Sequence, residues 1–166
     1  MLVALADTHG VTTPRLTDHL RRVLDEAELI VHAGDLTTTR VHEAFDAFGG
    51  VRAVAGNSDD PALAEKLPET RTIEWGDRRF TVAHGHRRGW TGLSMLARQE
   101  RSDVVVVGHT HRAWFEARSG VVVVNPGSHA DPRGERGTYA SFERSESGVV
   151  GQCRTVDGCA LETVRL

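Results

Sequence analysis

Five short apolar runs in this chain each stop at a glycine-flanked group of Asp, Asn or His residues, and this repetition constrains the fold more than any other feature. Residues 2–6 run into Asp7-Thr8-His9-Gly10, 29–33 into Gly34-Asp35, and 51–55 into Gly56-Asn57-Ser58-Asp59. Residues 80–83 run into His84-Gly85-His86, and 104–107 into Gly108-His109-Thr110-His111. Apolar runs of this length mark strands covered on both faces. The leading polar positions 7, 35, 57, 84 and 109 lie 28, 22, 27 and 25 residues apart, a spacing that suits one strand–crossover–strand unit each. Ligands of open α/β sheets bind beyond the carboxyl ends of the strands. The five loops are therefore expected to meet at one edge.

The intervening segments supply helices. Thr13-Pro14 offers an N-cap and a first-turn proline ahead of Leu16, Leu20, Val23, Leu24 and Ala27 at helical spacing. Val41, Ala44, Phe45 and Phe48 mark a second helix closed by Gly49-Gly50, a short one follows Pro61, and Leu93, Leu96 and Ala97 suit another. Residues 70–75 and 79–83 flank Gly76-Asp77 as a hairpin. From 113 onward the chain reads as strands and turns: 113–117, 121–124, 138–143, 149–155 and 161–166, several separated by Arg118-Ser119-Gly120, Ser147-Gly148 and Asp157-Gly158. The expected fold is α/β, one domain over 1–166, a two-sheet β-sandwich flanked by helices.

Composition narrows the function. The 166 residues are 39% hydrophobic, with 20 Lys+Arg against 23 Asp+Glu and a net charge of −3. That balance disfavours a nucleic-acid groove or a polybasic membrane anchor, and no apolar run approaches the ~18 residues of a spanning helix. Cys153 and Cys159, the only cysteines, are too few for a disulfide scaffold and read as two strand residues of a C-terminal hairpin. The N-terminal segment lacks the basic region of a signal peptide, so a cytoplasmic location is expected. The single lysine, Lys66, excludes a P-loop, and no Gly-x-Ser-x-Gly elbow occurs.

Nine His stand against one Tyr. At the five strand ends Asp7, Asp35, Asn57 and Asp59 offer oxygen, while His9, His84, His86, His109 and His111 offer nitrogen. One divalent ion needs three or four protein ligands plus an open position for catalysis. A larger set implies two ions. Carboxylate, amide and imidazole without thiolate suit manganese first, with iron, zinc, nickel or cobalt as alternatives.

These five blocks, Asp-x-His, Gly-Asp, Gly-Asn-x-Asp, a His beside Gly, and Gly-His-x-His, resemble those of the calcineurin-like metallophosphoesterase superfamily. The compact length, with Asn125-Pro126-Gly127-Ser128 and Asp131-Pro132-Arg133, is similar to its small bacterial and archaeal phosphodiesterase branch. The resemblance implies a metal-bearing β-sandwich that hydrolyses small phosphate diesters through a hydroxide bridging two ions. By position, Asp7, His9, Asp35 and His111 would hold one ion and Asp35, Asn57, His84 and His109 the other, with Asp35 shared. Two ions at +4, offset by two Asp and a hydroxide, leave the centre near +1, which attracts a phosphate anion.

One position departs from the pattern. Many relatives carry a proton-donating His where this chain has Ser58, whose hydroxyl is too weak an acid for that task. Asn57 and His86 are the remaining catalytic candidates, with Ser58 beside them as a substrate contact. Asn57 can turn its amide N–H to a phosphate oxygen, and His86 can substitute as donor. Asp59 and the 125–128 loop are candidates to orient the imidazoles. Arg87 and Arg88 can meet a phosphate, and Trp75, Trp90 and Trp114 read as core or subunit contacts. Relatives of this type are often homo-oligomers. Two other superfamily roles remain open: a retromer-subunit-like scaffold without catalysis, and a DNA nuclease, the latter disfavoured by the charge.

Overall fold

The computed structural model describes residues 1–118 and 120–166; of the expected turn at Arg118-Ser119-Gly120, Ser119 lies outside the described residues. Eleven strands and four helices follow in the order β1 (Leu2–Leu5), α1 (Asp18–Asp25), β2 (Leu29–His32), α2 (Thr39–Asp46), β3 (Val51–Ala53), α3 (Pro61–Ala64), β4 (Thr70–Trp75), β5 (Arg78–Ala83), α4 (Trp90–Glu100), β6 (Val104–Val106), β7 (Ala113–Arg118), β8 (Val121–Pro126), β9 (Thr138–Ser145), β10 (Gly148–Thr155) and β11 (Ala160–Arg165). They form a six-stranded sheet, β11-β10-β9-β1-β2-β3, and a five-stranded sheet, β4-β5-β6-β8-β7. β1, β2 and β3 run parallel, as do β5, β6 and β8. The carboxyl ends of β1, β2, β3, β5 and β6 are the ends that carry the Asp, Asn and His loops.

The valine-rich runs are explained by burial on two faces. In β1, Leu2 and Ala4 point between the sheets, where they pack with Phe80, Val82, Val104, Val106, Val124 and Phe142. Val3 and Leu5 point the other way, under Leu20, Leu24, Val41 and Phe45 of α1 and α2. In the second sheet Val105 and Val107 meet Leu93 and Ala97 of α4. The result is helix, sheet, sheet, helix. The Phe80 and Phe142 rings meet edge to face, 5.0 Å apart, and fasten the two sheets at their centre. Trp75 is buried in the same core, and Trp90 and Trp114 pack with the α4 cluster.

Two local expectations are corrected. Helix α1 begins at Asp18, not after Thr13-Pro14: Thr17 is the N-cap, its hydroxyl accepting from the Leu20 amide. The segment before it is held out of a helix by tertiary bonds. Arg15, at φ 50°, donates to the Thr8 and His9 carbonyls, and the Pro14 carbonyl bonds the His129 ring at 2.8 Å. Thr17→Ala is expected to cost about 1 kcal/mol, since the hydroxyl also donates to the Val156 carbonyl. Urea denaturation reads this, and a change below about 0.3 kcal/mol would argue against the cap. Cys153 is a buried strand residue of β10, whereas Cys159 is exposed in the turn before β11, and both are free. Among the described residues no helix is long and apolar enough to cross a membrane.

Candidate metal centre

The five loops do meet. Backbone bonds lock them: the Asp7 amide to the Gly34 carbonyl (3.1 Å), the His9 amide to the Asp35 carbonyl (3.0 Å), and the Gly108 amide to the His84 carbonyl (3.1 Å). Two more bonds join the sheets. The His109 amide donates to Asp7 Oδ1 at 3.0 Å, and the His84 ring reaches the Ala33 carbonyl through Nδ1 at 2.7 Å. Ten non-glycine residues among those described have positive φ, and five of them are Asp7, His9, Asp35, His109 and His111. Such backbone costs about 1–3 kcal/mol per residue and persists where the surroundings over-determine it.

Glycine makes the close approach feasible. A Cβ on Gly56 would lie 2.1 Å from Asp35 Oδ1 and 2.2 Å from its amide nitrogen. Gly56→Ala therefore has to displace Asp35. We expect it to weaken divalent-ion binding by about 10–100-fold, the usual effect of disturbing a ligand's support. Titration with Mn²⁺ followed by calorimetry measures this, and unchanged affinity would contradict it.

Asp35 is the centre of the cluster. It is 2% exposed. Its Oδ1 accepts from the Ser58 amide at 2.8 Å, which leaves Oδ2 turned to His9 Nε2 and His84 Nε2, 3.3 Å from each. Asn57 Oδ1 lies 2.9 Å from His84 Nε2 and 3.1 Å from His109 Nδ1. Asp7, fully buried, has Oδ1 4.0 Å from His111 Nε2. One ligand atom from each of Asp7, His9 and His111 falls within a mutual 4.8 Å, and so does one from each of Asp7, Asp35 and His84. All seven positions named for the two ions thus lie in one cluster. His86 stands at its edge, with its ring 5.3 Å from that of His84. Ser58 accepts from the Asn57 side-chain amide at 3.3 Å.

The donor set fits a cation. With Nδ1 of His84 donating to the Ala33 carbonyl and Nδ1 of His111 to that of Asp131, each Nε2 carries its lone pair inward. Asp7 Oδ2, His9 Nε2 and His111 Nε2 are buried and have no hydrogen-bond partner. Each such orphan costs about 1–3 kcal/mol, and a cation placed where they converge would satisfy them together. The ionisation pattern agrees. Burial alone would raise the Asp35 pKa, but the bond and charge of His84 and the Ser58 amide hold it well below the usual carboxylate range. Burial opposes protonation of His84, yet Asp35 outweighs it and its pKa is raised. Burial raises that of Asp7 against the pull of His84 and His111. His86 is pushed down by burial and then by the charges of His84, Arg87 and His109.

The imidazole supports differ from expectation. The Asp59 carboxylate accepts from the Thr37 and Gly56 amides at 2.7 Å each; it pins one loop to the next and orients no imidazole. Asn125 bonds the Gly108 carbonyl and the Thr110 hydroxyl, and Ser128 Oγ donates to the Asp7 carbonyl at 2.6 Å. The rings of His84 and His111 are oriented by the main-chain carbonyls of Ala33 and Asp131. Sequence reasoning also missed Thr8, fully buried between Asp7 and His9, whose hydroxyl bonds His32 Nε2 at 2.8 Å. Its polarity within an otherwise hidden segment was the available signal.

A helix-flanked pair of sheets whose strand ends gather carboxylate, amide and imidazole defines a class of metal-centred phosphoesterase folds. This chain belongs to the calcineurin-like phosphoesterase superfamily, whose domain model matches residues 1–147. It is 32% identical over 139 residues to a probable metallophosphoesterase of Methanothermobacter thermautotrophicus, covering 80% of this chain and 79% of the relative. It is 30% identical over 136 residues to a phosphodiesterase of Methanocaldococcus jannaschii, with 74% and 80% covered. Among solved structures, a Zn²⁺ complex of Vps29 from Entamoeba histolytica superposes with a TM-score of 0.77 at 22% identity, covering 98% of this chain and 97% of that one. That likeness is one of fold.

Proposed function

We propose that residues 1–166 form one domain that hydrolyses small phosphate diesters with the help of two divalent transition-metal ions, manganese first among the candidates. The observation that carries this reading is the convergence of carboxylate, amide and imidazole donors from five strand-end loops, with Asp7 Oδ2, His9 Nε2 and His111 Nε2 buried and unpartnered among them. Asp7, His9, Asp35 and His111 would hold one ion, and Asp35, Asn57, His84 and His109 the other. When bound, such a pair activates water as a nucleophile and neutralises charge on the phosphoryl oxygens.

The chain's own residues do the rest. Asp35 is the shared ligand because one of its oxygens is already held by Ser58 and the other faces rings of both groups. Asn57 turns its carbonyl to His84 and His109 and has a second amide hydrogen free to meet a phosphate oxygen. His86, whose ring lies 5.3 Å from that of His84, would be the substitute donor to the leaving oxygen. With serine at position 58, no imidazole follows Asn57 to protonate a poor leaving group, so activated esters are the favoured test substrates. The phosphodiesterase among the relatives supports the same class.

The test is protein stripped of metal, reconstituted with Mn²⁺, Co²⁺, Ni²⁺ or Zn²⁺, and assayed on bis(p-nitrophenyl) phosphate beside p-nitrophenyl phosphate. Faster turnover of the diester is expected. Inactivity on both with every ion would overturn the reading. The Vps29 likeness lends a non-catalytic scaffold support at the level of fold only; the converging donor set favours the enzyme.

A further inference from the structure

A cavity of about 480 Å³ opens beside the cluster, and Asn57 and His84 form part of its lining. Pro61, Ala64 and Leu67 contribute an apolar surface, while His86, Arg87 and Arg88 contribute a basic one. That volume is in the range of sites that enclose a small organic molecule. Two carboxylates also line it. Asp59 is spent on the Thr37 and Gly56 amides. Glu69 lies 4.0 Å from Arg87, and both are about four-fifths exposed, at 81% and 78%. A surface pair of this kind is worth little and yields to a better anion. Two consecutive arginines lining a cavity that also has an apolar wall suit a phosphate bound bidentately, next to a ring that leaves water.

We propose that this cavity receives one arm of the diester, and that this arm joins an apolar ring to a second phosphate, as a nucleotide does. The proposal rests on the phosphodiesterase reading, because the scissile phosphate must sit at the Asn57 and His84 side of the cavity. Pro61, Ala64 and Leu67 take the ring, and Arg87 and Arg88 take the second phosphate.

Three substrates with one leaving group test it in the metal-loaded enzyme: methyl p-nitrophenyl phosphate, thymidine 5′-(p-nitrophenyl phosphate), and the same nucleoside ester bearing a 3′-phosphate. The kcat/KM is expected to rise in that order, by about tenfold at the last step. The double variant Arg87→Ala/Arg88→Ala should erase the last step, and Ala64→Trp, which fills the apolar end, should erase the first. A second readout needs no turnover: calorimetry of thymidine 3′-phosphate, expected to bind the double variant about tenfold more weakly than wild type. Equal kcat/KM for the last two substrates, or a ratio indifferent to the double substitution, overturns the cavity assignment and leaves the phosphodiesterase reading standing. Inactivity on all three defeats the phosphodiesterase reading, while the calorimetric difference still decides for or against the cavity.

Discussion

Asp35→Asn is expected to remove nearly all phosphodiesterase activity while leaving the fold intact. The substitution is nearly isosteric, and Oδ1 can still accept from the Ser58 amide. The amide group must then take the place of Oδ2, 3.3 Å from both His9 Nε2 and His84 Nε2. An NH₂ there donates to the ring lone pairs that otherwise face a cation. A hole for positive charge becomes a satisfied neutral network, and one negative charge is lost from both halves of the donor set at once. Disturbing even an outer support of a metal ligand costs about 10–100-fold in affinity, so loss of the shared ligand should exceed about a hundredfold in bound metal and in kcat/KM. Elemental analysis, thermal melting and diester hydrolysis on one preparation measure this together. Retention of half the rate would contradict the bridging role.

Acidification is expected to destabilise the protein through a histidine that lies outside the donor set. His129 is 7% exposed, and its Nε2 hydrogen bonds the Pro14 carbonyl. Burial pulls its pKa down to about 4, partly opposed by that bond and assisted by Arg15. An unfolded His takes up its proton near pH 6.5. Between 6.5 and 4 the unfolded state therefore binds more protons, and stability falls as pH falls. The contribution is complete above the unfolded value and is lost on descending to the folded one. It amounts to about 2 kcal/mol between pH 7 and pH 5. His32, fully buried and likewise shifted down by burial, acts with the same sign. Urea denaturation at the two pH values, in wild type and His129→Gln, isolates the effect: the variant should show a flatter pH dependence by about that amount. Parallel pH dependences in the two proteins would refute the assignment.

The strands were legible because burial on two faces leaves an apolar run that no other element of that length requires. The turn at Gly76-Asp77 was legible because a two-residue hairpin needs positive φ, and both residues have it, at 59°. The start of α1 was not. Thr13-Pro14 is a sound local signal, but Arg15 and His129 outbid it with bonds to chain that is distant in sequence or space. The donors of the candidate site were readable because each ends a strand. Their supports were not, because the Ala33 and Asp131 carbonyls that hold the rings leave no trace in residue identity. Asp59 misled for the complementary reason: a carboxylate two positions past Asn57 looks available to an imidazole, while its nearest unsatisfied neighbours are the amides of its own turn and the next loop.

Asp7, Asp35 and Asn57 leave the ends of one sheet, and His84, His109 and His111 leave the ends of the other. A cation gripped by both sets would act as a rivet through the sandwich. Whatever loosens the seam between the layers, even at the remote Phe80–Phe142 contact, then slackens the grip on the ion. By linkage, whatever fills the grip tightens the seam.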